Sequence, residues 1–143
     1  MVDPRHFKRP ESVMVVVHTD AEILLIKRAD HECFWQSVTG SLEWNEAKET
    51  TASRELAEET GIENVPIRFA GVRRSYEILE QWRYKFPPGV KRNYENLFFC
   101  HLPGRVEIDL DPTEHTEYQW LSYQEAIDMA YSWTNKLAIE MLK

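Results

Sequence analysis

Residues 40–62, GSLEWNEAKETTASRELAEETGI, carry a cluster of acidic side chains that must be explained before the rest of the chain. Glu55, Glu58 and Glu59 fall within five positions, and side chains three or four apart are neighbours on a helix. Like charges at this spacing destabilise an exposed helix by about 0.2–0.5 kcal/mol per pair. A solvated surface helix is the ordinary explanation, and composition alone favours it. The alternative is a shared divalent cation, because Mg²⁺ prefers hard carboxylate oxygens.

The same stretch predicts a helix over residues 46–60, which lack Gly and Pro and are rich in helix-forming residues. Asn45 is the expected N-cap, and Glu46 and Glu49 suit the positive end of the helix. Gly61 suits the position that follows the last helical turn, where a left-handed conformation is common. The acidic cluster would therefore lie in the last two turns.

Apolar and β-branched segments elsewhere predict strands. These segments are 12–18, 22–28, part of 33–40, one or two strands within 65–79, 96–102 and 117–122. The last segment, 123–142, has a helical composition with a break near SWTN at 132–135. Strands on both sides of a central helix predict an α/β or α+β fold, with a mixed sheet and helices packed on it.

Length and composition limit the classes of function. A chain of 143 residues is expected to form one domain over 1–143, and its net charge of −7 argues against a nucleic-acid polymer as partner. No apolar run approaches the roughly 18–20 residues of a membrane span, so no membrane partner is expected. Cys33 and Cys100, the two cysteines, are expected to be buried free thiols in a cytoplasmic protein. A small polyanionic substrate stays compatible with this charge, because a bound metal reverses the local field.

The spacing across residues 40–62 resembles the Nudix box, the signature of hydrolases that act on nucleoside diphosphates linked to another group. The matching positions are Gly40, Glu46, Arg54, Glu55, Leu56, Glu58, Glu59, Gly61 and Ile62. The resemblance implies a Nudix fold, in which a mixed β-sheet lies between helices and the box forms a loop, a helix and a loop.

The resemblance also implies roles for the box residues. Glu55 and Glu59 would be the main ligands of Mg²⁺, with Mn²⁺ as the alternative metal, and Glu58 would be a further ligand or a proton acceptor. Arg54 and Glu46 would orient the helix as structural partners. The Gly40 carbonyl would reach towards the metal, and Gly61 would have a structural role. The implied chemistry is metal-assisted attack of water at phosphorus, with a carboxylate removing the proton.

Four further stretches resemble one subgroup of this family, the bacterial dihydroneopterin triphosphate pyrophosphohydrolases. They are FKRP (7–10), FWQSVTGS (34–41), PPGVKRNYE (87–95) and SWTNKLAIE (132–140). The substrate-site positions that this resemblance implies are Lys8, Arg28, Thr39, Tyr76, Glu77, Ile78, Leu79 and Ser132. Tyr76 and Leu79 replace phenylalanines of that pattern. Glu114 would be a third metal ligand or the catalytic base.

Each of these positions also has an ordinary structural explanation. Lys8 and Arg28 fit exposed cations equally well, and Thr39 fits a turn-forming residue. Ser132 is suited to capping the last helix, and Glu114 lies in an acidic loop. Three aromatic residues could stack on a pterin, and no spacing selects among them: Trp82, Tyr84 and Phe86.

The function expected from the resemblance is hydrolysis of 7,8-dihydroneopterin triphosphate to the monophosphate and pyrophosphate, in folate biosynthesis. The partner would be a small-molecule triphosphate, with side activity on nucleoside triphosphates. Enzymatic alternatives are a nucleotide-sanitising hydrolase of the 8-oxo-dGTP type and a dinucleoside polyphosphate hydrolase. A non-catalytic nucleotide-binding Nudix module is the alternative from another class. The sequence indicates no oligomeric state.

Overall fold

A computed structural model of the chain describes residues 6–143. Its strands and helices, in chain order, are β1 (Glu11–His18), β2 (Glu22–Arg28), β3 (Trp35–Gln36), β4 (Val38–Ser41), α1 (Lys48–Thr60), β5 (Arg68–Glu77), a 3₁₀ helix (Glu80–Lys85), β6 (Arg92–His101), β7 (His115–Ser122), α2 (Tyr123–Met129) and α3 (Trp133–Glu140). No helix in this described part of the chain is long and apolar enough to cross a membrane.

The strands form one mixed sheet with β1 at its centre. β1 runs parallel to β6 along its whole length, and it is antiparallel to β4 over Ser12–Val15 and to β2 at His18. β5 pairs with β6, whereas β3 and β7 both pair with β2. Parallel and antiparallel pairs together, with helices on the sheet, confirm the predicted fold class.

Both faces of β1 are buried, which explains why its sequence is apolar without alternation. Val13 and Val15 point into a core that Leu56 of α1 completes. Met14, on the opposite face, packs in a second core with Ile139 of α3. The sheet is therefore covered by α1 on one face and by α2 and α3 on the other.

The helix of the acidic stretch begins later than predicted. Its N-cap is Ala47, which offers no side-chain hydrogen bond, and α1 starts at Lys48. Asn45, the expected cap, lies in the preceding loop in a left-handed conformation with φ of 73°. The expected end is correct, because Gly61 adopts φ of 78° and donates its N–H to the Ala57 carbonyl.

Two further segments differ from the expectation. β6 begins at Arg92, four residues before the predicted strand. The prediction missed this first part because its side chains are polar, although Asn93 and Glu95 are buried. Residues 80–85 form a 3₁₀ helix that composition did not indicate. The predicted break between the last helices is confirmed, since α2 ends at Met129 and α3 begins at Trp133.

The cysteines agree with the expectation only in part. Cys100 is a buried free thiol, as predicted. Cys33 is also free, but it is exposed, so the prediction of burial is wrong for this residue. It lies in the turn before β3, where the chain runs over the surface.

Candidate active site

A cavity of about 860 Å³ brings together most of the side chains that the sequence singled out. Its lining includes the acidic candidates and every candidate for substrate binding. These are Lys8, Arg28, Thr39, Glu55, Glu58, Glu59, Tyr76, Glu77, Ile78, Leu79, Glu114 and Ser132. Gly40 and Arg54 of the box also line it, whereas Glu46 and Gly61 lie outside it.

Carboxylates of α1 form one wall of this cavity. Glu59 is 4% exposed, and the nearby backbone of Thr39 in β4 favours the ionised form of its carboxyl group. Glu55, one turn earlier, lies close enough for its carboxyl group to raise the pKa of Glu59. Glu58 projects outward with its side chain 58% exposed, and Glu114 approaches from the loop before β7. The strand, the helix and the loop therefore each contribute to the same acidic wall.

The protein does not supply enough positive charge to neutralise the buried carboxylates of Glu55 and Glu59. Burial raises the pKa of Glu59 well above its usual range, and the neighbouring Glu55 raises it further. Burial also raises the pKa of Glu55, although Arg54 opposes this effect. Among the described residues, Glu59 Oε1 has no hydrogen-bond partner. Like charges within a few ångströms of each other disfavour double ionisation unless a cation lies between them.

A buried histidine next to these carboxylates does not supply that positive charge. His115 Nε2 lies 3.8 Å from Glu59 Oε1. Burial lowers the pKa of His115 to about 4, and the positive charge of Arg28 contributes to this effect. The imidazole is therefore neutral near pH 7.

Gly40 makes room for the carboxyl group of Glu55. A Cβ atom placed on Gly40 would overlap that carboxyl group, so any other residue at this position would displace it. Among residues 6–143, no three His, Cys, Asp or Glu side chains are already arranged as a complete metal site. The hard oxygen donors of Glu55 and Glu59 fit a cation that keeps water or substrate oxygens as its other ligands.

Arg54 connects the acidic helix to the loop before it. Its guanidinium group donates to both oxygens of Glu46 at 2.9 and 2.8 Å, and to the Ser41 carbonyl at 3.3 Å. It also contacts Glu55 at 2.9 Å and Glu58 at 3.4 Å. The Arg54 guanidinium lowers the pKa of Glu46 to about 2. This network fixes the direction of the side chains that follow it on α1.

Cations line the same cavity as the acidic wall. Burial lowers the pKa of Lys8, as do the nearby charges of Lys85 and Arg28. The backbone N–H of Lys8 donates to the Lys85 carbonyl at 2.7 Å, which attaches the start of the described chain to the 3₁₀ helix. Arg28 forms a forked pair with Asp30 at 2.8 and 2.7 Å. Lys85 was not among the predicted residues, because sequence spacing does not place the 3₁₀ helix beside Lys8.

Aromatic side chains form the apolar part of the cavity. Phe34 stacks on Tyr131 with ring centroids 4.1 Å apart, and Arg28 lies over the Trp82 ring at 4.9 Å. Phe86 lines the same cavity, whereas Tyr84 is 74% exposed and does not. Of the three aromatic candidates for stacking, Trp82 and Phe86 therefore reach the cavity.

Ser132 combines the two roles that the sequence left open. Its Oγ accepts a hydrogen bond from the Asn135 N–H at 3.1 Å and so caps α3. The residue also lines the cavity, so capping fixes the position of a side chain at the cavity surface.

A polar group at the base of the cavity was missed by reasoning from the sequence. Asn93 Nδ2 donates to Ser12 Oγ at 2.8 Å and to the Tyr76 hydroxyl at 3.1 Å. Glu95 is 7% exposed, and the nearby Thr134 hydroxyl favours the ionised form of its carboxyl group. Burial raises the pKa of Glu95 to about 7. The alternation of Asn93 and Glu95 would have indicated a shared face only if the strand had been extended back to Arg92.

Comparison with known proteins agrees with this fold and site. A model of the NUDIX domain family matches residues 8–141, and the chain belongs to the Nudix family. It is 38% identical over 140 residues to dihydroneopterin triphosphate diphosphatase of Escherichia coli (strain K12), a match that covers 94% of this chain and 92% of that protein. Its identity to the Haemophilus influenzae protein of the same name is 35% over 142 residues, with 94% and 87% covered.

A solved structure gives the same result. The E. coli dihydroneopterin triphosphate pyrophosphohydrolase structure superposes with a TM-score of 0.87 at 35% identity, covering 94% of this chain and 95% of that one. These findings confirm the predicted Nudix fold, the prediction of a Nudix pyrophosphohydrolase and the subgroup resemblance. Nudix hydrolases generally depend on a divalent metal ion and act on small phosphorylated substrates.

Proposed function

We propose that this protein hydrolyses 7,8-dihydroneopterin triphosphate to dihydroneopterin monophosphate and pyrophosphate, a reaction of folate biosynthesis. The observation that carries the proposal is one cavity lined by buried carboxylates, by cations and by aromatic rings. A triphosphate joined to a flat heterocycle has parts that match each of these groups. The proteins with which this chain shares 35–38% identity carry names for this activity.

We assign the metal-binding role to the acidic wall. Glu55, Glu59 and Glu114 would hold Mg²⁺, with Mn²⁺ as the alternative, and Glu58 is a further ligand candidate. Such an ion, when bound, supplies positive charge against the phosphate oxygens and lowers the pKa of a bound water. The unpartnered Glu59 Oε1 supports this assignment, because a buried carboxylate oxygen without a donor or a cation is destabilising.

The remaining side chains bind and orient the substrate. Lys8, Arg28 and Lys85 surround one side of the cavity and neutralise phosphate oxygens. Glu58 or Glu114 accepts the proton of the attacking water, since both line the cavity and neither is engaged in a buried pair. Aromatic side chains such as Trp82 exclude water from the heterocycle and offer it a stacking surface.

The substrate is tested with a panel of triphosphates. The protein is incubated with Mg²⁺ and dihydroneopterin triphosphate, common nucleoside triphosphates, 8-oxo-dGTP or a dinucleoside tetraphosphate, and products are identified by chromatography and phosphorus NMR. We expect pyrophosphate release and the highest kcat/KM for dihydroneopterin triphosphate. A higher value for 8-oxo-dGTP or for the dinucleoside would transfer the assignment to that alternative. Absence of hydrolysis across the panel would identify a binding module.

The metal assignment is tested by thermal unfolding, independently of turnover. An ion that binds only the folded state stabilises it by about 2.7 kcal/mol at 100 times its Kd, which corresponds to roughly 5–10 °C for a chain of this size. We expect Mg²⁺ to raise the Tm of the chelator-treated protein by this amount. Glu59→Gln should lose most of the shift and lower kcat by roughly 100-fold or more.

A matched control is Glu107→Gln, which changes an exposed glutamate outside the cavity and should retain both the shift and the activity. An undiminished Mg²⁺ shift in Glu59→Gln would refute the assignment of Glu59.

Two broader expectations belong to the same proposal. The family match over residues 8–141 supports a single Nudix domain. Both cysteines are free thiols, which is consistent with a reducing cytoplasmic location.

A further inference from the structure

The polar group at the base of the cavity lies on the sheet face that α3 covers. Asn93 and Glu95 are two residues apart on β6, so their side chains point to the same face. Glu95 pairs in register with Ser12 of β1, and Asn93 pairs with Tyr76 of β5. All four side chains line the cavity. The group is thus held by three adjacent strands and forms a rigid surface.

One buried acceptor of this group has no hydrogen-bond donor. Asn93 is 3% exposed, and both its contacts use Nδ2, so Oδ1 has no hydrogen-bond partner among the described residues. The Thr134 hydroxyl and the positive charge of Arg74 favour the ionised form of the Glu95 carboxyl group. An ionised carboxylate can accept about four hydrogen bonds. A buried acceptor without a donor is destabilising, so this surface is suited to a ligand that supplies N–H groups.

We propose that Asn93 Oδ1 and the Glu95 carboxylate recognise the aminopyrimidinone edge of the substrate, where a 2-amino group stands beside a ring N–H. A carboxylate can accept both N–H groups in parallel, which is a strong and directional arrangement. Pterins and guanine carry this edge. Hypoxanthine lacks the amino group, and adenine and cytosine place an acceptor beside theirs.

This inference rests on the proposed function, which places the phosphates at the acidic wall and so leaves the heterocycle to the base of the cavity. It adds a selection rule that the acidic wall cannot supply, because that wall contacts only the phosphate chain common to all triphosphates. Burial places the pKa of Glu95 at about 7, so the free carboxyl group exists in both forms near neutral pH. Bound N–H donors favour the carboxylate form.

The test compares GTP with ITP, which differ only in the 2-amino group. The wild-type protein should hydrolyse GTP with a kcat/KM at least about tenfold above that for ITP. Glu95→Gln is isosteric but offers a donor in place of one acceptor. It should lower kcat/KM for GTP and for dihydroneopterin triphosphate by roughly 10–100-fold, and it should lower kcat/KM for ITP, which keeps only the ring N–H, by a clearly smaller factor. Glu107→Gln, outside the cavity, is the matched control and should leave both values unchanged.

Binding of methylene-bridged GTP and ITP analogues, measured by calorimetry, makes the same comparison without turnover. Equal losses for both nucleotides would identify a merely structural role for Glu95 and overturn the inference. An unchanged preference for GTP in Glu95→Gln, or no preference in the wild type, would also overturn it. Failure of the proposed function is a separate result, because it is measured as the wild-type ratio of dihydroneopterin triphosphate to GTP.

Discussion

At the scale of single residues, Gly40 shows how one missing side chain controls a site. A Cβ atom at this position would overlap the carboxyl group of Glu55, which is the flexible end of a long side chain. Gly40→Ala should therefore move that carboxyl group without disrupting the fold. We expect kcat to fall by roughly 10–100-fold and the Mg²⁺-induced rise in Tm to shrink, while the Tm in chelator changes by less than about 3 °C.

Gly104→Ala is the matched control for this prediction, because a Cβ atom at Gly104 meets no atom within 4 Å. Activity measurements and thermal unfolding of both variants check the expectation. Full activity in Gly40→Ala would show that the position of the Glu55 carboxyl group does not matter for turnover.

Glu95 gives a prediction about stability and pH. Its pKa is about 7 in the folded protein, because of burial, against an ordinary value of 4.5. The folded state therefore binds more protons between pH 4.5 and 7, and this residue's contribution to stability is lost as the pH rises through that window. The loss is at most about 3 kcal/mol. Arg74 opposes it, and the Tyr76 hydroxyl also lies close enough to feel the charge of Glu95.

Glu95→Gln should remove this dependence, since an amide does not titrate. Urea denaturation of the wild type and the variant at pH 5 and pH 8 gives the measurement. We expect the free energy of unfolding of the variant, minus that of the wild type, to be more positive at pH 8 than at pH 5. A difference between the two proteins that is the same at both values would contradict the assigned pKa.

Residue-level predictions from the sequence succeeded where the signal was local. Glu55, Glu58 and Glu59 share a helix, and their spacing alone predicts that they lie together. Asn93 and Glu95 were missed because polar residues do not indicate a buried strand, and their burial depends on three strands that come from distant parts of the chain. Such burial is a tertiary property, and sequence patterns report it poorly.

At the scale of elements, α1 depends on Arg54 for its attachment to the preceding loop. Arg54 reaches Glu46 with two hydrogen bonds and the Ser41 carbonyl with a third. A lysine keeps the charge but cannot form this forked arrangement. We expect Arg54→Lys to lower the free energy of unfolding by about 1–3 kcal/mol and to reduce kcat as well.

A comparison pair lies on the surface. Arg105 forms an ion pair with Glu22 while its own side chain is 61% exposed, so Arg105→Lys should cost less than about 1 kcal/mol. Urea denaturation of both variants checks the contrast. Equal effects would mean that the Arg54 network does not hold α1 more firmly than an exposed pair does.

The ends of the helices show which boundaries can be predicted from local sequence and which cannot. Gly61 ends α1 as predicted, because a left-handed C-terminal residue is a local preference. Asn45 is not the N-cap of α1, because it adopts a left-handed conformation in the preceding loop. The same loop places Glu46 within hydrogen-bond distance of Arg54. The 3₁₀ helix Glu80–Lys85 has no comparable local signal.

At the scale of the whole molecule, β1 joins two hydrophobic cores on opposite faces of the sheet. Leu56 of α1 lies in one core and Ile139 of α3 in the other, and both are fully buried. Leu56→Ala and Ile139→Ala should each lower the free energy of unfolding by about 2–5 kcal/mol. Because the sheet separates the two sites, their effects should add to within about 0.5 kcal/mol in the double variant.

Unfolding of each variant should also be a single transition, followed by tryptophan fluorescence and circular dichroism together. Two separate transitions would show that the cores are independent units and would contradict a single domain.

The pair between Arg28 and Asp30 would affect product release if Arg28 contacts a phosphate group as proposed. Asp30 holds the guanidinium group with the same forked geometry that a phosphate would use. Its carboxylate is therefore an internal competitor for any anion that Arg28 binds. If Arg28 binds a phosphate group as proposed, this competition would weaken that contact, and Arg28 would return to its pair with Asp30 as the anion leaves. Asp30 would thus shorten the residence time of the product at the expense of ground-state affinity.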